Sequence, residues 1–217
     1  MLTLYTYFRS SASFRVRIAL NVKGLAHRSE VVWLPDLEHH ADRYTSLNPQ
    51  GLVPALQLDG HLFKQSLSII EYLDETRPEP PLLPRDPIGR ARVRSLAQLV
   101  ACEIHPLNNL RVLKYLKNTL GQSQDAIDTW YRHWCALGLS AFERELADHP
   151  VVGRYCHSDA VSMADCCLVP QVFNAQRFKV DLSPYPQLMR VFDACMQLPA
   201  FDQAQPAKQP EAARGAG

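Results

Sequence analysis

The sequence predicts a two-part protein, a small mixed α/β unit followed by a unit made only of helices. Strand-like and helix-like segments alternate up to residue 77, and the long periodic segments beyond it are all helical. A proline-rich run separates the two parts, because proline lacks an amide hydrogen and clashes with the preceding helical turn. We therefore predict a domain at residues 1–77, a linker at 78–84, a helical domain at 85–202 and a flexible tail at 203–217.

The first part opens with a strand, a helix and a second strand. Residues 2–7 alternate Leu, Thr and Tyr with the two-residue period of a strand. Ser11 and Ser13 are N-cap candidates for a helix whose apolar residues recur at helical spacing as far as Gly24, a residue typical of helix ends. The β-branched run within residues 27–34 indicates the next strand.

The first part closes with a hairpin and a helix. Apolar runs at residues 52–58 and 61–63 flank Asp59 and Gly60, and an Asp-Gly pair in that setting is the strongest short-range signal for a hairpin. A helix with leucine and isoleucine at helical spacing opens at residues 65–66. The predicted order of elements is β-α-β-(short helix)-β-β-α.

The second part contains no convincing strand pattern. Ser162 and Asp165 have the spacing of a capping box, in which the two side chains bond reciprocally to the backbone at a helix start, and we interpret the pair as structural. Helices are predicted at residues 88–120, 125–146, 162–178 and 185–198.

Composition excludes several classes of protein. Twenty-three Lys and Arg against 22 Asp and Glu give a net charge of +1, without the basic excess of a general nucleic-acid binder. No apolar run approaches the roughly 18–20 residues that span a bilayer, and the N-terminus lacks the pattern of a signal peptide, so we expect a cytoplasmic protein. The six cysteines form no Cys-x-x-Cys pair, which predicts free, mostly buried thiols and no metal site.

The loop at residues 9–13, between the first strand and the first helix, is the first candidate site. Its serines can cap the helix, which accounts for at least one of them. The same helix start offers N–H groups and the positive end of a dipole to an anion, and a serine O–H there would lower the pKa of a thiol. Because no cysteine is near in sequence, such a thiol would arrive with a cofactor.

Two further positions are candidates for binding a ligand at the same sheet edge. The proline after Val53 marks a strand start, so the backbone of Val53 is available to pair with an extended, peptide-like ligand. A strand-start proline without a ligand is the simpler alternative. Gln65 and Ser66 begin a helix, where N–H groups and a hydroxyl suit a carboxylate, and Ser66 as a plain N-cap is the alternative there.

The segments at residues 9–20, 48–54, 65–73 and 170–182 resemble the zeta-class glutathione transferases, the family of the maleylacetoacetate isomerases. The resemblance extends to about residue 198. It implies a thioredoxin-like N-terminal domain, an all-α C-terminal domain, a cis Val53–Pro54 bond, glutathione as the cofactor and a homodimer.

The resemblance also implies roles for individual residues. Ser10 and Ser11 would hold the glutathione sulfur, and the backbone of Val53 its cysteinyl group. Arg9 and Arg177 match positions that hold substrate carboxylates, a role that suits the planar fork of arginine, although a surface ion pair is the alternative for each. The implied glutathione contacts are Ser10, Ser11, His39, Val53, Gln65, Ser66, His105 and Asn109.

Several of these contacts have structural alternatives. Gln65 and Ser66 would hold the γ-glutamyl carboxylate of glutathione. His105 and Asn109 lie beside a proline, where satisfying the backbone freed by a kink is an equal alternative. For His39 the alternative is a solvated surface position.

The implied reaction is the glutathione-dependent cis–trans isomerisation of maleylacetoacetate to fumarylacetoacetate in tyrosine and phenylalanine catabolism, with Arg9 supporting the charge that develops. The chain has Ala12 where many members of the class have cysteine, and this change leaves the serines in place. Three alternatives stay open: a maleylpyruvate isomerase of the gentisate pathway, a general zeta-class transferase, and a non-catalytic glutathione-binding module.

Overall fold

A computed structural model describes residues 2–216 of the chain. The chain divides into two compact units. The first unit contains the chain up to Leu82 together with the chain from Met196 onward, and the second contains the chain from Leu83 to Cys195. No helix within residues 2–216 is long and apolar enough to cross a membrane.

A four-stranded mixed sheet forms the centre of the first unit. Its strands are β1 (Thr3–Thr6), β2 (Arg28–Val31), β3 (Ala55–Leu58) and β4 (His61–Lys64), arranged in the order β2-β1-β3-β4. β1 pairs in parallel with β2, whereas β3 pairs antiparallel with β1 and β4. The predicted hairpin is confirmed, because Asp59 and Gly60 both have positive φ angles, 51° and 81°, as a two-residue hairpin turn requires.

Helices flank this sheet, and the first of them follows directly from the predicted loop. The helices of the N-terminal region are α1 (Ser11–Val22), α2 (Asp42–Thr45) and α3 (Ser66–Thr76), with a short 3₁₀ helix at Glu38–His40. α1 packs against α3, and its apolar residues Phe14, Ile18 and Leu20 are buried, as the helical spacing predicts.

The proline-rich run after α3 is held by a buried ion pair. Lys23 Nζ lies 2.9 Å from Asp74 Oδ1, and it also donates hydrogen bonds to the carbonyl oxygens of Arg77 and Pro80. The same carboxylate oxygen of Asp74 accepts a bond from the backbone N–H of Leu82 at 2.7 Å. The Lys23 side chain is fully buried, so every one of these bonds forms away from solvent.

The regular elements of the second unit are all helices in the residues described, as the sequence predicts, and an isolated β-bridge joins Val152 and Ser158. Its helices are α4 (Pro87–Gln98), a π-helical segment at Leu99–Ile104, α5 (Leu110–Asn118), α6 (Gln124–Ala147), α7 (Met163–Arg177) and α8 (Pro186–Met196), the last of which ends in the first unit. The capping box at the start of α7 is confirmed, with the Ser162 N–H donating to Asp165 Oδ2 at 2.8 Å. All six cysteines are free and five are buried, which confirms the prediction of free, mostly buried thiols.

The single helix predicted at residues 88–120 is wrong. The π-helical segment follows α4, an irregular stretch covers residues 105–109, and α5 begins anew at Leu110. Pro106 has no N–H to continue the ladder, and the side chain of Asn109 caps the next helix by accepting from the Arg111 N–H at 3.1 Å.

The structure also corrects the expectation of a helical domain that ends at residue 202 and a flexible tail at 203–217. From Met196 onward the chain belongs to the first unit, where it forms α9 (Pro199–Asp202) and 3₁₀ helices at Pro206–Lys208 and Pro210–Ala216. Phe201 and Ala204 are buried, and backbone carbonyls of this segment accept hydrogen bonds from α1. The polar composition of the C-terminal segment gives no indication that these two apolar residues are buried. Residue 217 lies outside the described residues.

Candidate active site

The predicted site loops of the first unit meet at one end of the sheet. β1, β2 and β4 all end there, and β3 begins there because it runs antiparallel to β1 and β4. The last registered pairs are Tyr5 with Ala55 and Ala55 with Lys64. Val53 precedes Ala55 by two residues, so it lies at this end of the sheet, just before β3 begins.

Ser10 and Ser11 form the start of α1. Ser10, rather than the predicted Ser11 or Ser13, is the N-cap, and its Oγ accepts a hydrogen bond from the Ser13 N–H at 3.2 Å. A hydroxyl that accepts a cap bond keeps its own O–H as a donor, so capping and binding an anion are compatible roles. Ser11 is the first helical residue and is only 6% exposed. The first turn of α1 holds no acidic residue, so the positive end of its dipole is not neutralised there.

The segment before β3 is held by side-chain hydrogen bonds to the residue that precedes Val53. Tyr44 Oη donates to the Leu52 carbonyl at 2.6 Å, and Asn48 Nδ2 donates to the same oxygen at 2.7 Å. Burial raises the pKa of Tyr44 to about 12, so its hydroxyl keeps its proton and stays a donor at neutral pH. The Val53–Pro54 bond is cis, as the resemblance implies.

The side chain of Val53 joins an aromatic cluster under the loop at residues 9–13. This cluster consists of Tyr7, Phe8, Val32, Trp33, Tyr44 and Val53. The rings of Phe8 and Trp33 stack at 5.7 Å, and Tyr7 meets Trp33 edge to face at 5.2 Å. The residues immediately before Arg9 are therefore packed on the same apolar surface as the start of β3.

Gln65 and Ser66 form the start of α3. Ser66 is 5% exposed, and its Oγ accepts a hydrogen bond from Arg15 Nη1 at 3.2 Å, which ties α3 to α1. Gln65 has a φ of 67°, an uncommon conformation for a residue other than glycine, and its Nε2 donates to Gln50 Oε1 at 2.9 Å. Non-glycine residues in this region cluster at ligand sites, so the backbone of Gln65 supports a binding role.

His39 lies in the 3₁₀ helix at Glu38–His40, against the turn that leads into β3. A Cβ placed on Gly51 would lie 2.9 Å from the His39 carbonyl oxygen and 3.1 Å from His40 Nδ1, so only glycine lets the two segments approach this closely. The φ of Gly51 is 60°, which also favours glycine. His39 is half-buried rather than fully solvated.

In the second unit, His105 and Asn109 contact each other. Asn109 Nδ2 lies 3.3 Å from His105 Nε2, while Asn109 Oδ1 caps α5. The structural alternative for Asn109 is therefore present, and its amide nitrogen holds the imidazole at the same time. With Nε2 as the acceptor, the proton of a neutral His105 resides on Nδ1.

Arg177 lies at the C-terminal end of α7, next to an aromatic stack. Its guanidinium is 5.4 Å from the Phe178 ring centroid, and Phe178 stacks on Tyr131 at 3.8 Å. The backbone carbonyl of Tyr131 accepts a bond from Asn108 at 3.4 Å, so contacts through α6 connect Arg177 with the stretch that carries His105. Sequence reasoning missed Tyr131, because its apolar neighbours on α6 give it the pattern of a core residue.

Arg9 is exposed, with its guanidinium 5.0 Å from the Phe8 ring centroid. It directly precedes Ser10, so a cationic fork stands beside the start of α1. The first unit thus brings together the predicted residues Arg9, Ser10, Ser11, His39, Val53, Gln65 and Ser66. The second unit brings together His105 and Asn109 and connects them with Arg177.

Comparison with known proteins gives the class to which this fold and site belong. Residues 9–76 match the family model "Glutathione S-transferase, N-terminal domain", and residues 136–199 match "Glutathione S-transferase, C-terminal domain". The chain belongs to the glutathione S-transferase family. This result confirms the resemblance found in the sequence and, with the mixed sheet followed by helices, the thioredoxin-like and all-helical architecture.

Within the family, the chain is similar to the zeta-class isomerases. It is 49% identical to the maleylpyruvate isomerase of a Ralstonia species, over 97% of this chain and 99% of the relative. It is 50% identical to the maleylacetoacetate isomerase of Rhizobium meliloti strain 1021, over 94% and 95% of the two chains.

Two solved structures share this fold along nearly their whole length. A holo structure of a zeta-class bacterial maleylpyruvate isomerase has a TM-score of 0.94 and 49% identity, and the match covers 96% of this chain and 99% of that one. A maleylacetoacetate isomerase from Methylobacterium extorquens AM1, solved with bound malonate and glutathione, has a TM-score of 0.93 and 41% identity, over 96% and 98% of the two chains.

Proposed function

We propose that this protein is a glutathione-dependent cis–trans isomerase that converts maleylacetoacetate to fumarylacetoacetate. The observation that carries the proposal is the sheet end at which the start of α1, the backbone before β3 and the start of α3 meet. The relatives named maleylacetoacetate isomerase support the choice of substrate.

The residues at this sheet end fit glutathione. The tripeptide has a thiol, a peptide backbone and a γ-glutamyl carboxylate, and the unit offers a site of matching chemistry for each. The start of α1 suits a thiolate, because Ser10 keeps an O–H donor and the dipole is not neutralised there. The backbone of Val53 lies beyond the registered sheet ladder and suits peptide groups. The start of α3, with Ser66 bonded to the buried Arg15, suits a carboxylate.

The remaining glutathione contacts are proposed on the resemblance together with local geometry. His39 lies against the turn before β3, and the imidazole of His105 is held by Asn109. Gln65 supplies backbone and amide groups beside Ser66.

Each step of the proposed reaction requires a particular residue of this chain. Glutathione supplies a thiolate that adds to the maleyl double bond, which then rotates as a single bond before elimination restores it in the trans form. Ser10 or Ser11 donates an O–H to the thiolate, and the N–H groups of α1 lower the pKa of the thiol. Arg9 stabilises the negative charge that develops on the carbonyl next to the double bond. Arg9 and Arg177 each bind a substrate carboxylate through their planar forks.

The purified protein, assayed with and without added glutathione, tests this proposal. We expect turnover of maleylacetoacetate only with glutathione, and equal rates in both conditions would refute the mechanism. Ser10→Ala and Ser11→Ala identify the thiol partner, because the correct one lowers kcat while the other leaves it close to wild type. Unchanged rates in both variants would contradict the assignment of the thiol site.

Maleylpyruvate is the second candidate substrate, and a specific observation favours it. Both a curated relative and a solved structure at 49% identity carry the name maleylpyruvate isomerase. Both substrates are dicarboxylates, so Arg9 and Arg177 serve either one. Side-by-side measurement of kcat/KM decides between them. Neighbouring genes for homogentisate breakdown would place the enzyme in tyrosine and phenylalanine catabolism, and genes for gentisate breakdown would favour maleylpyruvate.

The proposal extends to a cytoplasmic homodimer. Large apolar side chains are exposed on the chain, including Ile88 at 83% and Leu137 at 58%, and a second copy would cover such residues. Light scattering of the purified protein checks the dimer, and a monomeric mass would reject it.

A general transferase would conjugate model electrophiles faster than it isomerises, and a non-catalytic module would be retained on immobilised glutathione without turnover.

A further inference from the structure

A buried arginine lies directly behind the loop that carries Ser10. Arg17, on α1, is 2% exposed. Its Nη2 donates to the Phe8 carbonyl at 3.0 Å, its Nη1 donates to Thr6 Oγ1 at 3.3 Å, and its Nε donates to the Ala204 carbonyl at 3.0 Å. One guanidinium therefore joins the end of β1, the residues just before the site loop and the C-terminal segment.

Among the described residues, the guanidinium donates to carbonyl and hydroxyl oxygens rather than to a carboxylate. Burial lowers the pKa of Arg17 to about 10, more than the attraction of Glu211 raises it. At neutral pH the guanidinium is therefore still charged. Burying a cation is unfavourable unless its hydrogen bonds are well made, and a core position needs only an apolar side chain. The geometry of these bonds thus indicates a role beyond filling space.

The C-terminal segment, residues 199–216, packs against the same region at further points. The Ala200 carbonyl accepts a hydrogen bond from Asn21 Nδ2 at 2.9 Å. Ala212 packs against the aromatic cluster. Arg214 lies over the Trp33 ring at 4.4 Å and pairs with Asp36 at 2.7 Å. The segment therefore contacts the aromatic cluster that contains Tyr7, Phe8 and Val53.

We propose that Arg17 is a positioning residue for the thiol-activating loop and that the C-terminal segment holds Arg17 and the aromatic cluster in place. The inference deepens the proposed function and rests on it. The carbonyls of Tyr7 and Phe8 fix the backbone that enters Ser10, since the Ser10 N–H itself donates to the Tyr7 carbonyl at 2.9 Å. The direction of the Ser10 hydroxyl and of the first N–H groups of α1 follows from that backbone. Arg17 also places a positive charge near the start of α1, which the Glu211 carboxylate offsets in part.

The test measures the pKa of the thiol of bound glutathione, from the ultraviolet absorption of the thiolate against pH. Arg17→Met is expected to raise this pKa by about one unit, because a nearby positive charge is lost. We expect Arg17→Lys, which keeps the charge without the fork, to give an intermediate value. Affinity for S-methylglutathione, which has no thiol to ionise, is expected to change far less than kcat. An unchanged thiol pKa in Arg17→Met, or an equal loss of affinity for S-methylglutathione, would overturn the inference.

A second pair of variants tests the C-terminal segment in a protein whose core is intact. Ala212→Asp places a charge against the aromatic cluster, whereas Ala213→Asp places the same charge on the neighbouring, exposed residue. We expect Ala212→Asp to raise the pKa of the bound thiol and Ala213→Asp to leave it at the wild-type value. Equal values in the two variants would overturn the role of the segment. If wild type binds glutathione without isomerising maleylacetoacetate, the proposed reaction fails while the thiol measurement still decides this inference.

Discussion

Gly138 on α6 controls how closely the π-helical segment before His105 can approach. A Cβ at this position would lie 2.2 Å from Cγ1 and 2.5 Å from Cδ1 of Ile104, a residue that is 1% exposed. In Gly138→Ala the two groups must separate by about 1.2 Å to reach an ordinary contact distance. Overpacking of this kind costs about 1–3 kcal/mol. For a chain of this size that cost lowers Tm by about 2–12 °C.

The displacement also reaches the proposed glutathione site, because His105 directly follows Ile104. Loss of one hydrogen bond at His105 would raise the KM for glutathione about 2- to 10-fold. Thermal unfolding and initial-rate kinetics on Gly138→Ala measure both effects. Ile104→Ala removes both contacting atoms, so we expect the double variant to be no less stable than Ile104→Ala alone. If the double variant loses as much stability as the two single variants lose together, the steric argument is refuted.

Three further outcomes follow from groups described above. Lys23→Met leaves the buried Asp74 without its cation and is expected to lower the free energy of unfolding by about 3–5 kcal/mol in chemical denaturation. Adding Asp74→Asn should recover part of this loss. A loss below about 1 kcal/mol in Lys23→Met would contradict the reasoning. Burial lowers the pKa of His27, so the unfolded chain binds a proton more readily than the folded one. The free energy of unfolding is therefore expected to fall as the pH drops below about 6.5. A His27→Gln variant whose free energy of unfolding has the same pH dependence would contradict this expectation. A thiol reagent added to the native protein should label the exposed Cys102 well before Cys135, because burial raises the pKa of the Cys135 thiol to about 11. Mass spectrometry follows the labelling, and equal rates at the two cysteines would contradict this expectation.

Local signals in the sequence account for the elements that were predicted correctly. The Asp59-Gly60 turn and the capping box of α7 each depend on residues within three or four positions of one another. Short-range chemistry of this kind can be seen in a single sequence, because the residue types themselves carry the backbone preference. The resemblance then added the family and the cis bond at Val53, which no local rule contains.

The missed features depend on contacts between residues far apart in the chain. Arg17 bonds to the carbonyl of Ala204 across 187 positions, and nothing in the spacing of α1 distinguishes this arginine from a solvated one. The sequence does not predict the helix break after Ile104, because apolar residues keep their helical spacing across it, although Pro106 indicates a break. The polar composition of the C-terminal segment predicts a flexible tail, yet Phe201 and Ala204 are buried and hold the segment in the core.

The return of the C-terminal segment to the first unit has a consequence for synthesis of the protein on the ribosome. Residues up to Leu82 emerge first, but the oxygen that Nε of Arg17 bonds to belongs to Ala204, which is made after the whole second unit. A nascent chain can therefore build the sheet early and complete the contacts behind the loop at residues 9–13 only after the second unit has been synthesised. Premature termination anywhere in the second unit would yield a fragment that retains Ser10 and Ser11 without those contacts. A segment made after the second unit thus completes the unit that the earlier strands begin.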